Sequence, residues 1–376
     1  MMALRVFFPC TGLGREQRGF EAFTRECADA LAPNAGLSIT VFGGGGDMRG
    51  GERATWNLPR HSAAARVLGR ALSRNSYFVE QATFFAGFVP ALVAQRPDLV
   101  YFGDLNLGNA CWHWRRLSGQ RYRLLYYNGG PTTRPFTRCD YVQQVSPEHV
   151  QSALVRGERA DHQFLLPHAL RVERNFAPLS SAAKAALRAE LGVPVDGPLI
   201  LSVGALNTGH KRVDYLIDEV AAMTSQPHLL LLGAETPDTP AIRARAASRL
   251  PGRYTISTLP RERARMAYGA ADAFVLASLV EGFGLAQLEA LDAGLPCVAH
   301  DTPTSAYVLG KHGILGDLRP SGALAPLLER ALHAQHGAAE RHAYAYESFS
   351  WDRLAPKYGA MLRAAAAGVN PGSVLT

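Results

Sequence analysis

Between residues 277 and 299 the chain reads ASLVEGFGLAQLEALDAGLPCVA, which sets two carboxylates, Glu281 and Glu289, on either side of glycines at 282 and 284. Glycines after a strand let backbone amides come close to a ligand, and the helix start beyond them offers unpaired N–H groups and a positive dipole end to a phosphate. Gly282, Phe283, Gly284 and Leu285 therefore form a candidate anion cradle. Glu289, about a turn and a half into the helix, is placed to accept hydrogen bonds from vicinal hydroxyls such as those of a ribose. Lys211, after the loop GALNTGH and at another helix start, complements a diphosphate. Strand–loop–helix junctions also use glycine and glutamate for purely structural ends, so on spacing alone the two readings stand level.

The first half carries fewer such groups. Gly12 and Gly14 follow the first strand in TGLGREQRGFE. Neither Gly12-x-Gly14 nor the tetraglycine 43–46 completes GxGxxG, because Gln17 and Arg49 stand where the third glycine belongs; this argues against a dinucleotide-dependent dehydrogenase. The tetraglycine reads as a mobile turn. Asp104, after the strand 98–102, is a candidate for orienting or deprotonating an acceptor, and Asn128, in NGG, for binding a sugar hydroxyl; both types also serve in turns.

The elements that must position these groups follow from periodicity. ALRVFF reads as a strand, and Phe20, Phe23, Cys27 and Leu31 as one helix face; strands follow at 37–42, 98–102 and 123–127. The rhythm restarts with strands at 199–203, 228–233, 253–257, 273–277 and 295–299, and helices at 213–220, 261–270 and 284–293. This alternation predicts two successive α/β domains, each a doubly wound parallel sheet, with ligands outside the carboxyl ends of the strands. The expected boundaries are 1–180 for the first domain, 181–197 for a linker rich in Ala, Pro and Gly, and 198–345 for the second. Residues 346–376 are expected to form a helix crossing back to the first domain, with a frayed tail.

Composition narrows the class. At 376 residues, 47% hydrophobic and 19% charged, the chain has material for real cores. The five cysteines are scattered and form no CxxC pair, so reduced thiols are expected and neither a metal site nor a disulfide framework. No run approaches the roughly 18 uninterrupted apolar residues of a membrane span, and the start is too quickly polar for a leader, so the expected location is cytoplasmic. Charge is uneven: through Ser180 there are 21 arginines and no lysine against 14 acidic residues, and the rest sums to zero. The asymmetry fits an anionic acceptor or a membrane surface as well as ordinary solvated charge; no nucleic-acid motif is present.

The segment 281–299 resembles the Glu-x7-Glu signature of the retaining family-four glycosyltransferases, matched by Glu281, Gly282, Phe283, Gly284, Glu289, Ala290, Gly294 and Pro296. LILSVGALNTGHKRVDYLI, 199–217, is similar to the family's diphosphate-clamping segment, with Lys211 on the lysine position and Ala205 in place of the clamp arginine; Arg212 and, more weakly, His210 are candidate substitutes. Asn128 stands where many members carry histidine, and His168-Ala169 replace a common Asn-Gly. The resemblance runs through FSWDRLAPKYGAML, 349–362, and so covers nearly the whole chain.

It implies a GT-B fold, with two Rossmann-like domains facing a central cleft and the donor held mainly by the second. The implied activity is transfer of a sugar, a hexose by expectation, from a nucleotide-diphosphate donor to a hydroxyl acceptor, anionic or lipid-linked, in glycan or glycoconjugate biosynthesis. The implied roles are Glu281 on the donor sugar, Glu289 on the ribose, and Lys211, Gly12 and Gly14 on the phosphates, with no metal and no cofactor beyond the nucleotide sugar. Peripheral membrane contact is compatible with this. A sugar-nucleotide epimerase and a catalytically degenerate nucleotide-sugar-binding protein are the alternatives.

Overall fold

The computed structural model of the chain describes residues 3–16, 19–130, 135–334 and 336–371. Two compact units emerge, one comprising the residues up to Arg171 and those from Trp351 onward, the other Val172–Ser350.

The first unit is built on a seven-stranded parallel sheet, with β1 Leu4–Cys10, β2 Leu37–Gly43, β3 Arg53–Ala54, β4 Leu99–Phe102, β5 Arg123–Asn128, β6 Tyr141–Gln144 and β7 Gln163–Leu165 in the order β3-β2-β1-β4-β5-β6-β7. The second holds six parallel strands, β8 Leu199–Val203, β9 His228–Leu232, β10 Tyr254–Ser257, β11 Ala273–Leu276, β12 Cys297–His300 and β13 Gly313–Gly316, in the order β10-β9-β8-β11-β12-β13. Strands such as LILSV, HLLLL and AFVL are apolar on both faces because helices cover both sides of a parallel sheet. In each unit the order reverses beside the first strand, between β1 and β4 and between β8 and β11. In sheets of this kind, ligands bind outside the carboxyl ends of the strands at such a reversal.

The helix Ser76–Gln95 is capped by Asn75, whose side chain accepts from Phe78 N at 2.8 Å. It has the length and mean hydropathy of a membrane span, a property no uninterrupted apolar run announces. Its Phe84, Phe88 and Leu92 are fully enclosed in the core with Phe7 and Phe42, and its buried Glu80 takes Arg60 Nε at 2.7 Å.

Residues 181–197, expected as a linker, begin instead with the helix Ser181–Glu190, which belongs to the second unit. Ser180 caps it, its alanines favour it, and Lys184 and Arg188 both reach Asp272, at 2.6 and 2.7 Å. Asp272 also accepts from Leu199 N, so this helix is tied to the head of β8 and β11. The crossing between units lies at 171–172, nine residues before the expected edge, and the return at 350–351 rather than 346. The helix Trp351–Ala367 packs in the first unit, where the Tyr358 hydroxyl donates to Pro167 O and accepts from Gln143 Nε2. The tail expected to fray ends in 372–376, outside the described residues.

The tetraglycine, expected as a mobile turn, is packed. A Cβ on Gly44 would lie 2.2 Å from Thr11 O and one on Gly46 2.4 Å from Gly14 O, so only glycine lets the loops after β1 and β2 touch backbone to backbone.

Candidate functional site

The second unit's crevice is made by the loops after β8 and β11. The loop 204–212 is shaped by Asn207, whose Oδ1 accepts from the backbone of His210 (3.0 Å) and Lys211 (2.8 Å), and by Thr208, whose N–H and hydroxyl both donate to Asp238. The stem of Lys211 lies across Gly204, 3.2 Å from where a Cβ would stand, so a side chain there would press on the lysine. Lys211 Nζ then reaches Glu281 Oε1 at 2.5 Å, joining the two loops by an ion pair of mostly buried side chains. His210 adds a second tie, its Nε2 to Val280 O at 2.8 Å.

Beyond Glu281 the chain turns through Gly284, whose φ of +88° suits glycine, and enters the helix Leu285–Asp292. In its first turn the Gln287 amide already bonds back to Gly284 O at 2.9 Å, and the amides of Leu285 and Ala286 precede the first intrahelical bond. Glu289, on the same helix, is held by two residues from other elements: the Tyr268 hydroxyl donates to its Oε2 at 2.8 Å, and Arg261 Nη2 stands 3.4 Å from Oε1. Neither Tyr268 nor Arg261 is marked in the sequence, since both lie outside the Glu281–Glu289 segment and reach it only through the fold. Beneath the loop, the hydroxyl of Ser278 and Oε1 of Gln287 are buried without a hydrogen-bond partner.

Other candidates are placed differently. Arg212, offered as a substitute phosphate ligand, adopts a left-handed backbone (φ +49°), and its Nη1 donates to the carbonyls of Leu318 (2.8 Å) and Ala277 (3.3 Å), with the guanidinium over the Tyr215 ring; those bonds turn Nη1 toward the fold. The Phe283 side chain is buried against Phe349, so it anchors the loop from within and presents no ring to solvent.

In the first unit the groups proposed for acceptor chemistry are interior. The carboxylate of Asp104 is buried and accepts from Thr11 N (3.0 Å), Thr11 Oγ1 (2.9 Å) and the Tyr77 hydroxyl, so it fastens the loops after β1 and β4 and has no room to act as a base. Asn128 is 2% exposed; its Nδ2 donates to Gln144 Oε1 at 2.7 Å, and Gln144 donates on to Gln163, an amide ladder across β5, β6 and β7, while its Oδ1 is buried without a hydrogen-bond partner. Beside it lies His149, unremarked in the sequence, whose pKa is lowered by burial although the charge of Glu148 and a hydrogen bond to the Asn128 backbone act the other way. His168 is buried edge-on to the rings of Phe23 and Tyr127. Gly12 and Gly14 are required by close approach, the first beneath Glu21 and Arg60, the second against Gly45 O. Among the described residues no three His, Cys, Asp or Glu side chains gather as a metal-binding group.

Residues 197–334, which hold Lys211, Glu281 and Glu289, match the family model described as "Glycosyl transferases group 1". The match lies wholly within the second unit. A D-inositol 3-phosphate glycosyltransferase from Xylanimonas cellulosilytica is 33% identical over 190 residues, 47% of this chain and 45% of that protein. The chain thus spans about half the length of the curated relatives it matches. Among solved structures, sucrose-phosphate synthase from Thermosynechococcus elongatus superposes with a TM-score of 0.77 at 20% identity, covering 97% of this chain and 100% of that one. Anabaena HepE, solved with UDP and glucose, gives 0.75 at 18% identity, covering 96% and 100%. The fold is GT-B.

Proposed function

We propose that the chain is a retaining glycosyltransferase that moves a sugar from a nucleoside-diphosphate donor to a hydroxyl acceptor. The observation that carries this reading is the Lys211–Glu281 pair at the switch point of the second sheet, beside a glycine-led helix start and a preset Glu289. In this reading the diphosphate lies on the first-turn amides and Lys211, whose ammonium has donors left after the bond to Glu281. Glu289 takes the ribose hydroxyls and Glu281 those of the donor sugar. The acceptor oxygen bonds to the anomeric carbon, the bond from that carbon to the phosphate oxygen breaks, and the acceptor proton passes to the departing diphosphate on the same face. Amides, a helix dipole and an ammonium absorb the leaving charge without a metal. The HepE complex with UDP and glucose supports trying UDP-sugars first.

The test is incubation with UDP-, GDP- and ADP-sugars and a panel of sugar, inositol and lipid-linked hydroxyl acceptors, with the product's anomeric configuration read by nuclear magnetic resonance. Transfer with the donor's configuration kept is the expected result. Conversion of donor to its epimer without acceptor would establish the isomerase instead; the transferase and synthase names of the relatives lend that alternative no support.

A further inference from the structure

We infer that the helix Ala63–Ala71 is a docking surface for an anionic lipid bilayer. An ordinary surface helix turns its large apolar residues inward. This one does the reverse: its only buried residues are Ala65 and Gly69, while Val67 is 67% exposed and Leu68 and Leu72 stand in water beside it. The small residues are there because the chain doubles back on the helix; a Cβ on Gly69 would lie 2.8 Å from Arg74 O. At about 100° per residue, Val67, Ala71, Ala64, Leu68 and Leu72 form a continuous arc, flanked on one side by Arg66 and Arg70 and on the other by the buried seam. Trp56, just upstream, is 65% exposed.

Charge decides the occupant. From Arg53 to Val79 there are five arginines and no acidic residue, and among the described residues no carboxylate pairs with Arg66, Arg70 or Arg74. Arg66 spends one nitrogen on His61 O, and Arg74 lies over the Phe78 ring. A second copy seated on the same helix would set arginine against arginine. A basic helix with a leucine and valine face and an adjacent tryptophan matches the interface of a bilayer bearing negative headgroups, where apolar side chains enter the acyl boundary and arginines meet phosphates. The inference is independent of the sugar-transfer reading.

The experiment is co-sedimentation of the full chain with vesicles of phosphatidylcholine alone or with a third of the lipid replaced by phosphatidylglycerol, for wild type, an Arg66→Gln/Arg70→Gln/Arg74→Gln variant and a Leu68→Ser/Leu72→Ser variant. Binding is expected only to the anionic vesicles and to weaken with salt. Each arginine contributes about fivefold, so the triple variant loses on the order of a hundredfold; the leucine variant loses roughly tenfold. Trp56 fluorescence, isolated by difference from Trp56→Phe, should shift to the blue on vesicle addition, a readout that needs no other variant to fold. Absence of binding to anionic vesicles, binding equal in wild type and arginine variant, or a dimer abolished by the leucine substitutions without lipid association would overturn the proposal.

Discussion

Glu289 has its orientation before any ligand arrives. Tyr268 and Arg261 each hold one carboxylate oxygen, and a group already fixed in direction loses less entropy in the proposed binding of a ribose. Replacing Tyr268 by Phe keeps the ring in the core and removes one bond, so affinity for UDP is expected to fall about fivefold while that for 2′-deoxy-UDP changes little. Equal losses for both nucleotides in calorimetric titration would place the effect elsewhere. At this scale the sequence carried the second unit better than the first. Glu281, Gly284 and Glu289 lie close along the chain, and Lys211, seventy residues earlier, carries its own loop-and-helix-start signal and reaches Glu281 in the fold. Asp104 and Asn128 follow strands in the same manner, yet the Asp104 carboxylate is held by Thr11 and Tyr77 and the Asn128 Nδ2 by Gln144, partners whose approach only the fold reveals.

The elements show where periodicity speaks and where it is silent. Strands β8 and β9 were legible because both faces are apolar. Strand β6, YVQQ, was not: Gln143 and Gln144 are wholly buried, and their amides are satisfied by Leu166 O, Tyr358 and Gln163 rather than by solvent. The helix Ser181–Glu190 was hidden by a composition that serves linkers and helices alike. A comparable hidden device is Glu219, buried on the helix Val213–Ala221, which accepts from the backbone of Gly322 (2.5 Å), Leu324 (2.9 Å) and Ala325 (3.0 Å) and so caps the helix Leu324–His333. Glu219→Ala leaves those amides without their charged partner and is expected to cost about 2 to 3 kcal/mol in urea unfolding. A loss under half a kcal/mol would mean that water replaces the carboxylate at no cost.

For the molecule as a whole, the alternation of strands and helices was sufficient to give two doubly wound sheets, because each βαβ unit is specified locally and right-handed crossovers leave few ways to arrange the rest. The points where the chain passes between units were less legible, since they depend on which sheet a helix packs against. The excess of positive charge belongs to the first 180 residues, while the proposed diphosphate cradle is in the second unit and carries Lys211 paired to Glu281. The cradle's capacity to bind is therefore local chemistry and not a consequence of net charge. Calorimetric titration of the chain with UDP, GDP, ADP and TDP, repeated on Lys211→Ala and Glu289→Ala, tests this most directly. One nucleotide should bind with a micromolar-range constant, and each substitution should weaken it at least tenfold. Binding of none of the four, or binding indifferent to both substitutions, would contradict the account.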